Sequence, residues 1–377
     1  MALSFWEQRW LDKADIVVVG GGLVGLQTAT ELKNKFPHRK IWVLESSVLG
    51  DAASVRNAGF ACFGSAGEIL DDAERMGLDN ALSLYGMRYQ GLTKLIQKYG
   101  QTVIGYENSG GNEIFTNAND FEVVANKIDD LNRGLLQFHD TPAFKLKDLT
   151  KLGMKIHSHA IYSPLEGAIQ SHLLYETVRK HAVSSGVELF SGIQVGQLEH
   201  LPSKKWKLTC TSGGHNTNHF EIEAQKLVIC TNGYTRWLLE NEEVLPARGQ
   251  VLVTKPIPEL TFRGIFHADK GYIYFRSLGS RILIGGARNL AFKEEETTES
   301  ISNDKLVASL TQWITEIIAP YAKVEIDHQW AGIMGMSNSR LPIIEQRAEN
   351  LYLGVRMGGM GVALSALVAQ KISDLVD

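Results

Sequence analysis

Cysteine is scarce. The chain has three in 377 residues, Cys62, Cys210 and Cys230, too few and too scattered for a disulfide framework, and no Cys-x-x-Cys pair is present for zinc or redox exchange. A reduced, cytoplasmic compartment and no metal centre are expected. Dense runs of Lys or Arg are also missing, and 38 basic against 42 acidic residues leave a net charge of −4. Nothing in the charge pattern points to a nucleic-acid surface, and such a partner is not expected. No uncharged apolar run reaches the length of about eighteen residues that a membrane span needs. Glu7, Arg9 and Asp12 interrupt the apolar N-terminus, which does not read as a secretory signal. A soluble protein is expected. Low-complexity segments are absent too. With 44% hydrophobic residues the chain has enough apolar material for a sizeable core, and its length suits two lobes.

What is present is organised around Asp15–Ala29, DIVVVGGGLVGLQTA. Ile16 to Val19 read as a short strand buried on both faces, with Gly20, Gly22 and Gly25 behind it in Gly-x-Gly-x-x-Gly spacing. The first glycine permits a tight turn, the second lets backbone approach a pyrophosphate, and the third lets the following helix lie close on the strand. That helix, opening at Leu23 and Val24, turns its positive N-terminus to the phosphates. Ile41–Glu45 is a second apolar strand, and its terminal carboxylate suits a ribose hydroxyl pair. An ADP-containing dinucleotide is the expected ligand. By itself the fingerprint suits NAD as well as FAD.

Residues 3–12 form either a short amphipathic turn or a simple tether. After Glu45 the segment SSVLGDAASVRNAGFACFGSAGEI is rich in Gly, Ala and Ser, as where backbone passes close to a ligand. Residues 68–100 carry apolar positions at helical spacing, and 103–160 begin a second, mixed lobe with a helical stretch from Phe121 to Leu136. A helix over Ala168–Ala182 and strands at Val187–Phe190, Gln194–Leu198, Trp206–Cys210 and Phe220–Ile222 follow. Lys226–Cys230 is a further buried strand that leads into Thr231-Asn232-Gly233. From Gly249 to Gly286 apolar and polar residues alternate between turns, the pattern of an antiparallel sheet. Asn303–Ile318 reads as an amphipathic surface helix and Val324–Ile333 as a strand. A strand at Leu351–Val355, the glycine-rich Met357–Gly361 and a helix over Val362–Val376 close the chain. A usual nicotinamide dehydrogenase completes its sheet with consecutive strand and helix pairs, whereas here antiparallel strands intervene. The nucleotide lobe is therefore assembled from distant pieces.

The set DIVVVGGGLVGL, WVLE, SVRNAGF, KLVICTNGY, GYIYFR, WAG and GVRMGGMGVAL resembles the FAD-dependent D-amino-acid oxidase and glycine/sarcosine oxidase superfamily over nearly the whole chain. SFWEQ and RNAGFACFGS look most similar to bacterial gamma-glutamylputrescine oxidoreductase-like proteins. The resemblance implies a mixed α/β chain with a glutathione-reductase-like FAD-binding Rossmann domain (1–100, 155–235 and 325–377) and an antiparallel-sheet substrate domain (101–154 and 236–324). It further implies non-covalent FAD. Ser46 would join Glu45 at the ribose, Ser54, Arg56, Asn57, Ala58 and Gly59 would lie beside the isoalloxazine, and the Val195 backbone would meet the adenine end. Thr231, Asn232 and Gly233 match the turn under the cofactor. Arg356, Gly358, Gly359, Met360, Gly361 and Val362 match the segment whose backbone N–H groups and helix dipole face flavin N1 and the C2 carbonyl. Negative charge gathers there on reduction.

The family reaction moves a hydride from a carbon bearing an amine to flavin N5, and the imine is then hydrolysed; no acid or base is singled out. Substrate candidates are Tyr272 and Tyr274, which alternation sends the same way, with Met334 and Arg340. Glycine oxidases carry a carboxylate-gripping arginine two residues after Trp-Ala-Gly, and this chain has Met334 there. Arg340, Arg276 or Arg56 is then left to anchor an amino-acid carboxylate, or the substrate is an amine or a larger N-substituted compound. The oxygen-activating lysine of monomeric sarcosine oxidases aligns with Leu283, and Cys62 is the one cysteine placed to question flavin attachment. Competing readings are a 2-hydroxy-acid dehydrogenase of the same fold, a flavin-binding RNA-modification partner, and NAD binding without flavin.

Overall fold

A computed structural model of the chain describes residues 4–11, 13–50, 52–213, 218–258 and 260–377. Contacts divide it into two units. Met1–Val55, His172–Pro246 and Met334–Asp377 form the first, Arg56–Ser171 and Ala247–Ile333 the second. These breaks differ from the expected boundaries at 100, 155, 236 and 325. Helices Ala66–Met76 and Leu78–Tyr99, expected with the nucleotide lobe, belong to the second unit. There Glu113 accepts hydrogen bonds from Gly67 N–H (3.0 Å) and Ser65 Oγ (2.9 Å) at the start of the first of these helices. Helical periodicity reveals an apolar face without revealing which sheet covers it.

In the first unit a sheet runs Ile343–Ala348, Leu351–Val355, Asn218–Ile229, Lys13–Val19, Ile41–Glu45, Glu188–Ser191. Its centre is parallel, with Val17 opposite both Leu227 and Trp42. Strands covered on both faces bury every side chain, and Ile16 to Val19 are all buried. Val17, Trp42, Leu44, Leu208, Ile222, Leu227 and Leu353 share one core. Full burial of a side chain of the Val or Leu class stabilises by about 1.5–3 kcal/mol. Phe220–Ile222 and Lys226–Cys230, expected as two strands, are parts of one, Asn218–Ile229. Its start pairs antiparallel with Trp206–Ser212 and its end parallel with Lys13–Val19.

Helices Leu23–Lys35 and Gly361–Leu375 pack against each other in this unit. Gln27 Nε2 donates to Ser365 Oγ (2.8 Å) near their starts, and Lys35 Nζ donates to the Ser373 and Val376 carbonyls (2.9 and 2.7 Å) at their ends. They are therefore parallel, with both N-termini at one edge. At the N-terminus, Phe5–Trp10 is a helix with a Ser4/Glu7 capping box and no buried residue; residues 3 and 12 of the expected turn lie outside the described residues. Trp10 meets Phe190 with ring centroids 5.3 Å apart, while Trp6 is exposed.

The second unit carries an eight-stranded sheet in the order Ile326–Met336, Leu245–Thr254, Arg281–Gly286, Ile273–Leu278, Ile265–Ala268, Gly111–Glu113, His159–Ser163, Lys145–Asp148. Ile265–Ala268 and Gly111–Glu113 pair in parallel; their other neighbours within the sheet are antiparallel. Helix Asp304–Gln312 continues into a π-turn over Trp313–Ile318, and Leu306, Leu310, Ile314 and Ile318 recur every fourth residue. That stripe is buried on Phe262, Phe266 and Phe275. Among the described residues no helix is long and apolar enough to cross a membrane.

Candidate cofactor and substrate site

The parallel strands of the first unit end at the glycine loop. Gly20 has φ +106°, and a Cβ there would lie 2.7 Å from the Cys230 carbonyl oxygen. A Cβ on Gly25 would lie 1.8 Å from the Gly20 carbonyl oxygen, so the helix sits against the turn as the spacing requires. Gly22 is the N-cap of Leu23–Lys35 and supplies no side-chain cap. Ser54 Oγ accepts from Leu23 N–H at 2.9 Å, and a Cβ on Gly22 would approach that hydroxyl to 2.9 Å. Val24 follows in the first turn. The Glu45 carboxylate, buried, accepts from Gly21 N–H (2.6 Å) through Oε2 and from Ser47 N–H (2.8 Å) and Ser46 Oγ (3.3 Å) through Oε1. Glycines, helix N-terminus, Ser54 and Glu45 thus form one cradle.

Gly21, Ser47 and Tyr175 were not singled out from the sequence. The Tyr175 hydroxyl donates to the Gly21 carbonyl (3.1 Å), and Gly50 leaves room for that ring. Gly21 lies inside the glycine run but off its consensus positions; Tyr175 is more than a hundred residues away and left no signal.

Asn232 ties the returning strand to the C-terminal glycines. It sits at φ +46°, and its Oδ1 accepts from the backbone N–H of Arg356 (3.1 Å) and of Met357 (3.2 Å). Thr231 Oγ1 lies 3.2 Å from Thr235 Oγ1, and Gly233 is buried in the following turn. A Cβ on Gly335 would collide with Asn232 Oδ1 at 2.5 Å, and Gly358 N–H donates to the Gly335 carbonyl (3.1 Å). Gly358 and Gly359 have φ +59° and +82°. Met360 caps Gly361–Leu375 without a side-chain hydrogen bond, and Val362 is buried in its first turn. The positive ends of two parallel helices and the glycine loop therefore share an edge, at the carboxyl ends of the strands.

The Arg356 side chain is turned to backbone carbonyls. Its Nε donates to the Leu341 carbonyl (2.7 Å) and its Nη1 to that of Glu243 (3.3 Å), so the guanidinium holds two loops. Burial lowers its pKa from the usual arginine value. Met334 Sδ would lie 3.4 Å from a Cβ on Gly359, and the Arg340 carbonyl 3.5 Å from one on Gly358. Val195 faces Cys210 across a bulge, its side chain in the core.

In the second unit Arg56 and Trp330 exchange bonds: Arg56 Nη1 donates to the Ala331 carbonyl (2.9 Å) and Trp330 Nε1 to that of Arg56 (2.8 Å). Asn57 Oδ1 accepts from Gly59 N–H (2.9 Å) and Ser171 Oγ (2.7 Å). Gly59 has φ +72°, and Arg276 Nη1 donates to the carbonyls of Gly59 (2.6 Å) and Ile169 (2.9 Å). Arg276 is thus corrected from a carboxylate anchor to a buried backbone clamp, 5% exposed. Ala58 clusters with Val251, Val253 and Leu283, and Phe60, Tyr274 and Trp330 pack on that cluster. Tyr272 is elsewhere. It precedes the strand Ile273–Leu278, its ring meets Phe292 at 5.7 Å, and against burial its hydroxyl helps to raise the pKa of the neighbouring Arg75. The turn through Asp269, Lys270 and Gly271, all at positive φ, removes Tyr272 from the pleat, so alternation does not pair it with Tyr274. Burial pushes the Tyr274 hydroxyl up to about 12.

A family profile described as DAO, FAD dependent oxidoreductase, matches residues 15–375. The chain belongs to this family. It is 23% identical to the probable oxidoreductase OrdL of Haemophilus influenzae over 97% of its length and 83% of that protein's. Glycine oxidase from Geobacillus kaustophilus superposes with a TM-score of 0.74 at 19% identity, covering 97% of this chain and 95% of that one. L-proline dehydrogenase from P. horikoshii gives a TM-score of 0.74 at 17% identity, covering 97% and 93%. As a member of the FAD dependent oxidoreductase family the chain is an enzyme and its cofactor is FAD. Its cradle fits that group: Gly20, Gly21, Gly22 and Gly25 stand where a Cβ would strike the Cys230 or Gly20 carbonyl, Glu45 or Ser54, beside an acidic acceptor and a helix whose N-cap residue is a glycine.

Proposed function

We propose that this FAD-dependent oxidoreductase oxidises a C–N bond of a small amine or amino acid. Bound FAD would supply the two-electron acceptor for the hydride lost from the carbon that bears the amine, and the imine product would hydrolyse in water. Gly20, Gly22 and Gly25 leave room for the pyrophosphate at the first turn of helix Leu23–Lys35, where the Val24 N–H and the helix dipole would hold it, and Glu45 and Ser46 would serve the ribose hydroxyls. Val195 offers backbone to the adenine end, and Ser54, Arg56, Asn57, Ala58 and Gly59 serve the isoalloxazine. Thr231, Asn232 and Gly233 hold Arg356 through Met360 in place. The N–H groups of Gly359, Gly361 and Val362, with the dipole of helix Gly361–Leu375, would stabilise negative charge as the cofactor is reduced.

The observation that carries this reading is the Asn232 side chain fixed on Arg356 and Met357 N–H, which brings a second helix N-terminus to the edge that holds the glycine loop. One positive helix end suits a pyrophosphate; a second suits a redox end that gains charge. The similar solved structures, named for glycine and L-proline, support a C–N rather than a C–OH substrate. Tyr274, with Phe60, Leu283 and Trp330 beside it, presents an apolar aromatic face to the substrate carbon chain. Met334 where glycine oxidases have an arginine, and Arg276 committed to carbonyls, favour an amine or an N-substituted amino acid. FAD is held non-covalently, because Cys62 is buried among side chains of the second unit.

Anaerobic mixing with panels of amines, amino acids and 2-hydroxy acids tests this. Bleaching of the flavin absorbance by an amine or amino acid is expected. Bleaching by 2-hydroxy acids alone would replace the reading with its hydroxy-acid alternative, and admission of air then reports whether oxygen is the oxidant. Denatured protein that kept flavin mass in a mass spectrum would overturn the non-covalent assignment.

A further inference from the structure

Three chain segments of the second unit, none near another in sequence, converge on one buried point. Cys62 follows the short strand Phe60–Ala61, Glu166 lies in the turn between His159–Ser163 and Gly167–Ala168, and His267 is on Ile265–Ala268. One donor atom from each, the Cys62 sulfur, a Glu166 carboxylate oxygen and a His267 ring nitrogen, lie within 4.8 Å of one another. All three side chains are buried, His267 to 4% exposure.

The point lacks what an ordinary buried network would have. His267 Nε2 is buried without a hydrogen-bond partner and lies 3.6 Å from Glu166 Oε2, too far for a hydrogen bond. An orphaned buried nitrogen costs about 1–3 kcal/mol. Glu166 is held for another purpose: Phe63 N–H donates to its Oε1 at 2.8 Å, which leaves Oε2 to face His267. Gly111 makes room for that oxygen, since a Cβ there would come within 2.1 Å of Oε2. Backbone support of this kind orients a carboxylate as outer-shell groups do around a metal.

We propose that Cys62, Glu166 and His267 bind one zinc-class divalent cation. Thiolate, imidazole and carboxylate are the donors zinc takes, and bonds of about 2.0–2.3 Å in a tetrahedron set donor atoms roughly 3.3–3.8 Å apart. The Nε2 to Oε2 separation already falls there. A doubly charged cation with one thiolate and one carboxylate is neutral overall, which offsets the cost of burying the Glu166 carboxylate and gives His267 Nε2 the partner that no hydrogen bond supplies. Formation of the site expels the thiol proton to solvent, so affinity falls with acid. Three protein ligands leave a fourth position for water. Spacing gave no sign of the site because its ligands come one from each of three segments. The inference is independent of the amine reading, as its readouts do not involve substrate.

The test uses the full-length flavoprotein expressed in zinc-supplemented medium. Elemental analysis after gel filtration is expected to give about one zinc per chain in wild type, and less than about a tenth of that in Cys62→Ala and in His267→Ala. Wild-type protein stripped with chelator is then titrated with cobalt(II). Tetrahedral ligand-field bands, at wavelengths longer than flavin absorbs, are expected to saturate at about one equivalent. Zinc retained in the variants, or a wild type that carries no zinc and develops no such bands, would overturn the proposal. The cobalt titration needs no variant, so a substitution that fails to fold leaves the decision intact.

Discussion

The two units bury different things. Among the described residues the first buries few charged side chains, chiefly Glu45, Glu242 and Arg356, and its site is made of backbone: glycines, helix N-termini and the turn at Asn232. The second buries Asp72, Arg88, Glu113, Glu166, Arg248, Arg276 and Glu295. A cofactor common to a family is met by backbone, whose N–H groups any sequence supplies once glycines let it approach. Side-chain charges, by contrast, are placed pair by pair. The first unit should therefore be sensitive to added atoms and the second to removed charges.

Glu295 is where removal should cost most. Its carboxylate accepts from Arg248 Nε (2.9 Å) and Nη2 (2.8 Å), from Gln250 Nε2 (2.7 Å) and from Asn303 Nδ2 (2.7 Å). Glu295→Ala strands a buried guanidinium and should cost about 3–5 kcal/mol in chemical denaturation. Arg248→Met with Glu295→Leu should recover most of that loss, because the pair then vanishes together. The pH dependence has a definite sign. These donors outweigh burial and hold the Glu295 carboxyl below its ordinary value of 4.5. Its contribution is present above that ordinary value and lost as pH falls through the lower folded value. The wild-type melting temperature should drop on acidification through this range, and Glu295→Ala should drop less.

Next in size is the glycine loop. A Cβ at Gly25 meets a backbone carbonyl oxygen at 1.8 Å, which nothing nearby can relieve, so Gly25→Ala should cost about 2–3 kcal/mol and lower FAD content on purification. At Gly22 the nearest atom is the Ser54 hydroxyl, which can rotate. Gly22→Ala should cost under about 1 kcal/mol, and FAD affinity should fall through obstruction of the pyrophosphate. Equal losses at the two positions would break the distinction between the glycine that packs and the glycine that binds.

Asn232 tests the redox end. Asn232→Ala orphans the Arg356 and Met357 N–H groups, at about 1–3 kcal/mol, and should slow anaerobic flavin reduction by more than it lowers FAD content. Gly359→Val, at φ +82°, should do the same through strain of about 1–2 kcal/mol. Unchanged reduction rates in both would remove the second helix end from the proposed mechanism.

The same contrast explains what was legible. Ile16–Val19, the glycines, Glu45 and Leu351–Val355 could be read because their reasons are local: an apolar run, a turn, a spacing. The pairing of Asn232 with Arg356 spans more than a hundred residues, and each looked like an ordinary loop residue with a guessed role. Arg276 and Arg356 were assigned toward ligands, yet both clamp carbonyls, because an arginine in sequence does not say which oxygens will surround it. Helices Ala66–Met76 and Leu78–Tyr99 are legible as helices, but the unit whose contacts they share is not. Ile343–Ala348 went unread because its outward positions, Glu345, Gln346 and Arg347, are those of an exposed edge strand and obscure its apolar start.

The smallest effect should separate the two tyrosines. Both stand in GYIYFR, and alternation made them equivalent, but the turn at Asp269 to Gly271 does not. Tyr272 has its hydroxyl near the Arg75 guanidinium and its ring on Phe292. Tyr272→Phe should therefore lose about 1 kcal/mol of stability with little change in kinetics. Tyr274 packs on Phe60 with ring centroids 5.4 Å apart, over Gly285, in the cluster that holds Leu283 and Trp330. With its hydroxyl pushed up to about 12, it remains a hydrogen-bond donor at neutral pH. If this face receives substrate, Tyr274→Phe should leave the melting temperature nearly unchanged and raise the concentration giving half-maximal flavin reduction several-fold, as loss of one hydrogen bond of about 0.5–1.5 kcal/mol requires. The reverse pattern, kinetics altered by Tyr272→Phe and stability by Tyr274→Phe, would move the substrate to the Arg75 and Phe292 side of the strand.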